Sequence, residues 1–235
     1  LRRYVTLSVL TILILALGGC MFTRFQSSTS KPAGLMGDVI ELPAPIHKSD
    51  TSVEQTLLQR RSVREYAQQP LTLAEVSQML WAAQGVTDPE GKRTAPSAGA
   101  LYPLEVYLLA GEVEGLSQGI YRYLPDEHSL IITVQADRRS ALSQAALDQE
   151  SVAQAPAVIV LSGVYERTTV KYGERGIRYV HMEVGSAAQN VYLQSAAMGL
   201  GTVFIGAFHD EEVKQVLSLS AEERPLCIMP VGRLR

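Results

Sequence analysis

Gly199-Leu200-Gly201-Thr202-Val203-Phe204-Ile205-Gly206 decides the fold through what precedes it. Residues 178–198 carry Val180, Val184, Ala187, Ala188, Val191 and Ala196, apolar around most of a helical circumference. Such a helix is expected to be buried throughout, against several helices or a partner subunit. Gly199 is its natural stop, and Leu200 opens a strand. Glycines at 199, 201 and 206 invite comparison with a dinucleotide fingerprint, yet that fingerprint follows a strand and opens a helix. Here the order is reversed, which argues against a Rossmann site. A helix cap accounts for Gly199 alone; Gly201 and Gly206 suit close backbone approach to a flat ligand.

Further elements can be read on both sides of this stretch. Asp50-Thr51-Ser52 offers N-caps to a short helix carrying Val53, Leu57 and Leu58. Thr72 and Glu75 form a capping box for a helix with Val76, Leu80 and Ala83 on one face and Gly85 as its stop. Leu104–Ala110 and 157–161 read as strands, Gly119–Leu124 and 130–134 as a hairpin, and 141–147 as a helix. A further helix starts at Asp210 and a final strand contains Leu226-Cys227-Ile228-Met229-Pro230. There is no internal repeat. The expected class is α+β, a mostly antiparallel sheet packed among helices.

Composition narrows the function. Of 235 residues 46% are hydrophobic, enough for a core and too many for a disordered chain. With 21 basic against 24 acidic residues, the net charge of -3 provides no field for nucleic acid. Two cysteines and four scattered histidines support neither a disulfide framework nor a zinc site. Difficult chemistry would therefore need an organic cofactor.

The N-terminal segment reads separately. Arg2 and Arg3 precede an uncharged run that reaches Leu17-Gly18-Gly19-Cys20, which resembles a bacterial lipobox. The resemblance implies cleavage before Cys20 and lipidation of its sulfur; an uncleaved membrane-spanning helix is the alternative. Residues 1–24 are thus a signal or anchor, 25–49 a Ser-, Pro- and Gly-containing tether, and 50–235 the folded domain. Either form of attachment implies a membrane-anchored protein, and the lipobox favours the extracytoplasmic side.

Arg60-Arg61-Ser62-Val63-Arg64 could be no more than a solvated helix end favoured by the dipole. Its context argues otherwise. Together with Pro96-Ser97-Ala98-Gly99-Ala100-Leu101-Tyr102-Pro103-Leu104-Glu105, the 199–206 stretch and Pro230-Val231-Gly232-Arg233, it resembles the FMN-dependent nitroreductase family. The Ala-Leu-Tyr-Pro-Leu-Glu continuation resembles the SagB-type dehydrogenase branch, which includes azoline dehydrogenases. The resemblance covers residues from about 53 to 235. It implies a nitroreductase-like fold, a homodimer and hydride transfer through flavin N5. By the same resemblance Arg60 and Arg233 hold the phosphate, with Ser62 adding a hydroxyl; forked, always-charged donors suit that group. Arg61 meets the ring edge or ribityl chain, and Arg64 faces the pyrimidine end, where negative charge grows on reduction. A backbone N–H of Phe204-Ile205-Gly206 meets N5, while Ser97 and Gly99 reach the ring from the second subunit.

Ala100 stands where many nitroreductases have Asn, which disfavours nitroarene reduction. Lys171-Tyr172 matches a pair that takes the substrate proton in azoline dehydrogenases, although a Lys-Tyr pair in a polar loop is also ordinary surface. A lysine moved out of water beside a flavin becomes a usable base. The sequence thus reads as an oxidoreductase acting on a small or peptide-derived substrate. The alternatives are an NAD(P)H-dependent quinone or nitro reductase and a flavin-binding lipoprotein without turnover. Tyr121 and Tyr123 read as one face of a strand, Trp81 as core packing and Cys227 as a small buried hydrophobe. His181 and His209 lack metal-ligand partners at helical or hairpin spacing.

Overall fold

The computed structural model describes residues 39–235. Cys20 and the expected anchor lie outside the described residues, as does most of the expected tether. No helix among the described residues is long and apolar enough to cross a membrane.

The last part of the supposed tether belongs to the domain. Strand β1 (Val39–Glu41) pairs antiparallel with β6 (Ser129–Val134), and Leu42 is buried in the core. Further along, the Gln78 side-chain amide exchanges two hydrogen bonds with the Ile46 backbone, at 2.7 and 3.0 Å. His128 adds a clasp through Pro43 O and Ser77. Pro43 and Pro45 conceal this order in the sequence, because a strap without apolar period looks like linker.

The expected capping box of the second helix forms, and the expected N-cap run before the first supplies another, Ser52 with Gln55. Ser52 caps α1 (Val53–Gln59), and Thr72 with Glu75 caps α2 (Leu73–Gln84), which stops at Gly85. A short strand β2 (Leu71–Thr72) runs parallel to β4 (Val113–Glu114). The main sheet adds β3 (Leu104–Ala110), β5 (Gly119–Leu124), β7 (Ala157–Val164), β8 (Leu200–Thr202) and β9 (Glu223–Arg233). Its order is β1-β6-β5-β3-β7-β9-β8, antiparallel at every pairing. This is the α+β architecture expected.

Helices cover both faces, which is why β3 and β7 are buried along their whole length and show no polar alternation. On one face Leu104, Val106 and Leu108 pack with α2 and α6 (Arg175–Ala197). Tyr121 and Tyr123 share that core, as expected, and Cys227 lies within it with its thiol pushed up to about 12 by burial. On the other face Tyr107, Leu109 and Val158 meet α3 (Arg139–Ala145), α4 (Glu150–Gln154) and α7 (Asp210–Leu217).

Three expectations need correction. Helix α6 is not buried all round within one chain: Val180, Val184, Ala187 and Val191 face the core, whereas Ile177 and Met182 are exposed. Lys171 and Tyr172 are not in a loop but end α5 (Glu166–Tyr172). Trp81 is only half-buried, with its ring 5.2 Å from that of His47.

Candidate active site

The arginine cluster emerges from α1 in extended form because it joins the sheet edge. Ser62 bridges Thr202 in parallel fashion, and Val63 N–H donates to Thr202 O at 2.9 Å. Val63 then lies against β8, where a Cβ on Gly201 would come within 2.7 Å of its Cγ1. Side-chain packing, rather than a ligand, therefore explains Gly201. Gly206 differs: a Cβ there would meet only Phe204, at 3.5 Å.

Tyr192 of α6 ties this region together. Its hydroxyl accepts the Phe204 N–H at 2.7 Å and lies 3.1 Å from Ser62 Oγ. The Arg60 guanidinium sits over its ring, 5.0 Å from the centroid. Arg60 has no carboxylate partner among the described residues and borders a cleft of about 290 Å³ with Tyr192, Gly199 and Leu234. Of the three amides expected to meet a flavin, Phe204 N–H is taken by Tyr192 and Ile205 N–H by Ile228 O, at 2.9 Å. Only the Gly206 N–H has no partner among the described residues. An unpaired cation, a neighbouring hydroxyl and an uncommitted backbone donor form a donor set that fits a phosphate-bearing flavin.

Other members of the cluster are disposed differently. Arg61 also borders the Arg60 cleft, but its guanidinium turns back onto its own helix end, donating to Leu58 O and Arg60 O. Arg64 borders a separate polar hollow of about 390 Å³ with Gln149, Ser151 and Arg235. Arg233 holds both oxygens of Glu75, each at 3.0 Å, and donates to Pro70 O. Its fork is already committed within the chain. The two hollows beside Trp81, of about 340 and 410 Å³, include none of the expected site residues.

A second group forms around the 97–102 turn. Its backbone is left-handed at Gly99, Ala100 and Tyr102, with φ of 65, 55 and 44°. A Cβ on Gly99 would lie 2.8 Å from the Tyr172 hydroxyl oxygen and 2.9 Å from Lys171 Nζ, so a side chain there would displace the movable ends of both, and the left-handed backbone favours glycine as well. The predicted proton-handling pair is thus brought onto the predicted flavin-contact loop. Lys171 is exposed and stacks its ammonium over the Tyr172 ring at 5.4 Å, and Tyr172 packs edge-on against Tyr179. Arg175 in turn lies over Tyr179.

Two polar residues of the candidate site escaped the sequence reading. Glu183 is buried on α6 and accepts the Ala98 N–H at 2.8 Å. Burial holds its carboxyl above the usual glutamate range, opposed by the Ala98 amide and Ser97. Tyr192 is the other. Both lie in the apolar stripe of α6, and polar groups within a buried stripe were the available signal. No cluster of three His, Cys, Asp or Glu side chains suited to a metal occurs among the described residues. His181 instead meets the Tyr165 hydroxyl at 2.7 Å.

The nitroreductase family model matches residues 57–233, and the chain belongs to that family. A nitroreductase-family protein of Methanocaldococcus jannaschii is 50% identical over 84% of this chain and 98% of its own length. The crystal structure of a Ralstonia eutropha protein of the same description superposes with a TM-score of 0.74 at 33% identity, covering 84% of this chain and 90% of that one. The microcin B17-processing protein McbC of Escherichia coli is 30% identical over 63% of this chain and 57% of its own length.

Proposed function

We propose that this nitroreductase-family oxidoreductase is an FMN-dependent dehydrogenase of the SagB type. It acts as a homodimer on a small or peptide-derived substrate. The observation that carries this reading is the convergence of Lys171 Nζ and the Tyr172 hydroxyl on Gly99. Similarity to a protein named for microcin processing supports the substrate class. A precursor peptide would be delivered by a separate partner.

Arg60 and Ser62 would hold the phosphate of FMN, and the Gly206 N–H would face its ring. When bound, FMN supplies the two-electron acceptor. Dehydrogenation of a partly unsaturated ring such as a thiazoline gives up a proton together with the hydride, and Lys171 and Tyr172 are the groups beside the Gly99 loop able to receive that proton.

The two half-sites also support the dimer. Glu183, under the Gly99 loop, and Tyr192, under Arg60, are separated by roughly 13 Å along α6 at 1.5 Å per residue. Joining one subunit's Gly99 loop to another's Arg60 cleft would close that gap.

The test compares substrates. Lys171→Ala and Tyr172→Phe should retain flavin, and turnover of a thiazoline precursor should fall by about 100-fold. NADPH-driven quinone reduction, which needs no base to deprotonate the donor, should continue. Near-wild-type rates on both substrates would overturn the assignment and favour a quinone or nitro reductase.

A further inference from the structure

One carboxylate remains outside this chemistry although it sits directly beneath it. Glu183 is 6% exposed, flanked on α6 by core residues Val180 and Val184, and pairs with no cation among the described residues. An isolated buried carboxylate is costly to the fold, so its hydrogen bonds must account for its place there. Its Oε1 accepts the Ala98 N–H at 2.8 Å. One residue earlier, Ser97 Oγ accepts the Tyr102 N–H at 2.9 Å. Within the segment these two bonds bracket, the backbone is left-handed at Gly99, Ala100 and Tyr102. Non-glycine residues persist in such a conformation only where their surroundings over-determine it. The first bond anchors the loop to α6, and the second closes the loop on itself.

We propose that Glu183 is a positioning residue, whose hold on the Ala98 N–H keeps Gly99 against Lys171 Nζ and the Tyr172 hydroxyl and so sets their approach to substrate. This deepens the dehydrogenase reading and rests on it for the consequence in turnover. The clamp itself can be measured separately.

Two substitutions break the bond from opposite sides. Glu183→Leu removes the acceptor and keeps similar bulk. Ala98→Pro removes the donor and leaves α6 intact; Ser97 is already extended, at φ -132° and ψ 136°, as a residue before proline must be. Glu183→Gln keeps an acceptor oxygen and serves as the rescue. The readout is acetylation of individual lysines in the flavin-loaded protein by acetic anhydride, followed peptide by peptide in a mass spectrometer. Lys48 and Lys92 provide the reference.

Glu183→Leu and Ala98→Pro should speed Lys171 acetylation severalfold relative to the reference lysines, and Glu183→Gln should return it towards wild type. On the thiazoline substrate, kcat should fall on the order of 10-fold or more while KM changes little. Uniform acceleration at all lysines would mean general loosening of the fold and would overturn the proposal. Unchanged Lys171 acetylation in either bond-breaking variant would do the same, and Ala98→Pro decides alone if Glu183→Leu does not fold. If Lys171 acetylation responds but Lys171→Ala has no effect on turnover, the clamp stands and the dehydrogenase reading fails.

Discussion

Arg60 and Arg233, both expected on one phosphate, stand in unlike surroundings. Arg60 rests on the Tyr192 ring with no carboxylate beside it among the described residues, whereas Arg233 is gripped in bidentate fashion by Glu75, itself part of the α2 capping box. An arginine already paired gives up one anion to gain another, which leaves little net attraction. Arg60→Ala should therefore weaken FMN by about 2 kcal/mol, the usual loss when a charged hydrogen-bonding partner is removed. Arg233→Ala should weaken it much less and mainly loosen the start of α2. Fluorescence titration of FMN into apoprotein, with thermal melts of both variants, distinguishes the two. Equal losses of affinity would restore Arg233 to the phosphate.

Packing between elements makes its own prediction at Gly201. This residue lets β8 approach the arginine stretch so closely that an added Cβ would lie 2.7 and 2.8 Å from Val63 atoms and 3.0 Å from Leu234. Gly201→Ala should cost about 1–3 kcal/mol of stability by overpacking. Urea unfolding measures this, and an unchanged midpoint would refute it. The same element shows what was readable in advance. Gly199 was recognisable as a stop, but the reason for Gly201 was not, because Val63 is distant in sequence and meets it only through sheet pairing. Helices α1 and α2 were legible because a run of N-cap residues precedes the first and a capping box opens the second. By contrast, α5 has a single buried residue, Thr168, and three consecutive β-branched positions at 168–170, so no apolar period marks it. Its helicity depends on packing against α6. Strand β1 is too short to show alternation and forms only because β6 offers an edge. At the site, Arg60, Ser62 and Gly99 were named from motifs, whereas Glu183 and Tyr192 were hidden among the apolar residues that surround them on α6.

On the scale of the whole molecule, the separation of the two half-sites along α6 can be tested by complementation. If Arg60 of one subunit serves the same site as Lys171 of another, a mixed dimer of Arg60→Ala and Lys171→Ala chains contains one intact site and one doubly damaged site. Co-expression of differently tagged chains, with tandem purification, should restore thiazoline turnover to well above that of either parent dimer. Continued inactivity of the mixed dimer, with flavin still bound at one site, would place both residues in the same chain's site.

The position of Tyr192 also sets what the cleft can offer a visitor. Its hydroxyl oxygen accepts the Phe204 N–H and lies 3.1 Å from Ser62 Oγ, a pair in which either hydroxyl can donate. One of the two hydroxyl hydrogens closes that pair, and the other is left over beside the Arg60 guanidinium. Because Ser62 is exposed, an arriving group of negative sign meets a donor that needs only a rotation about one bond to face it.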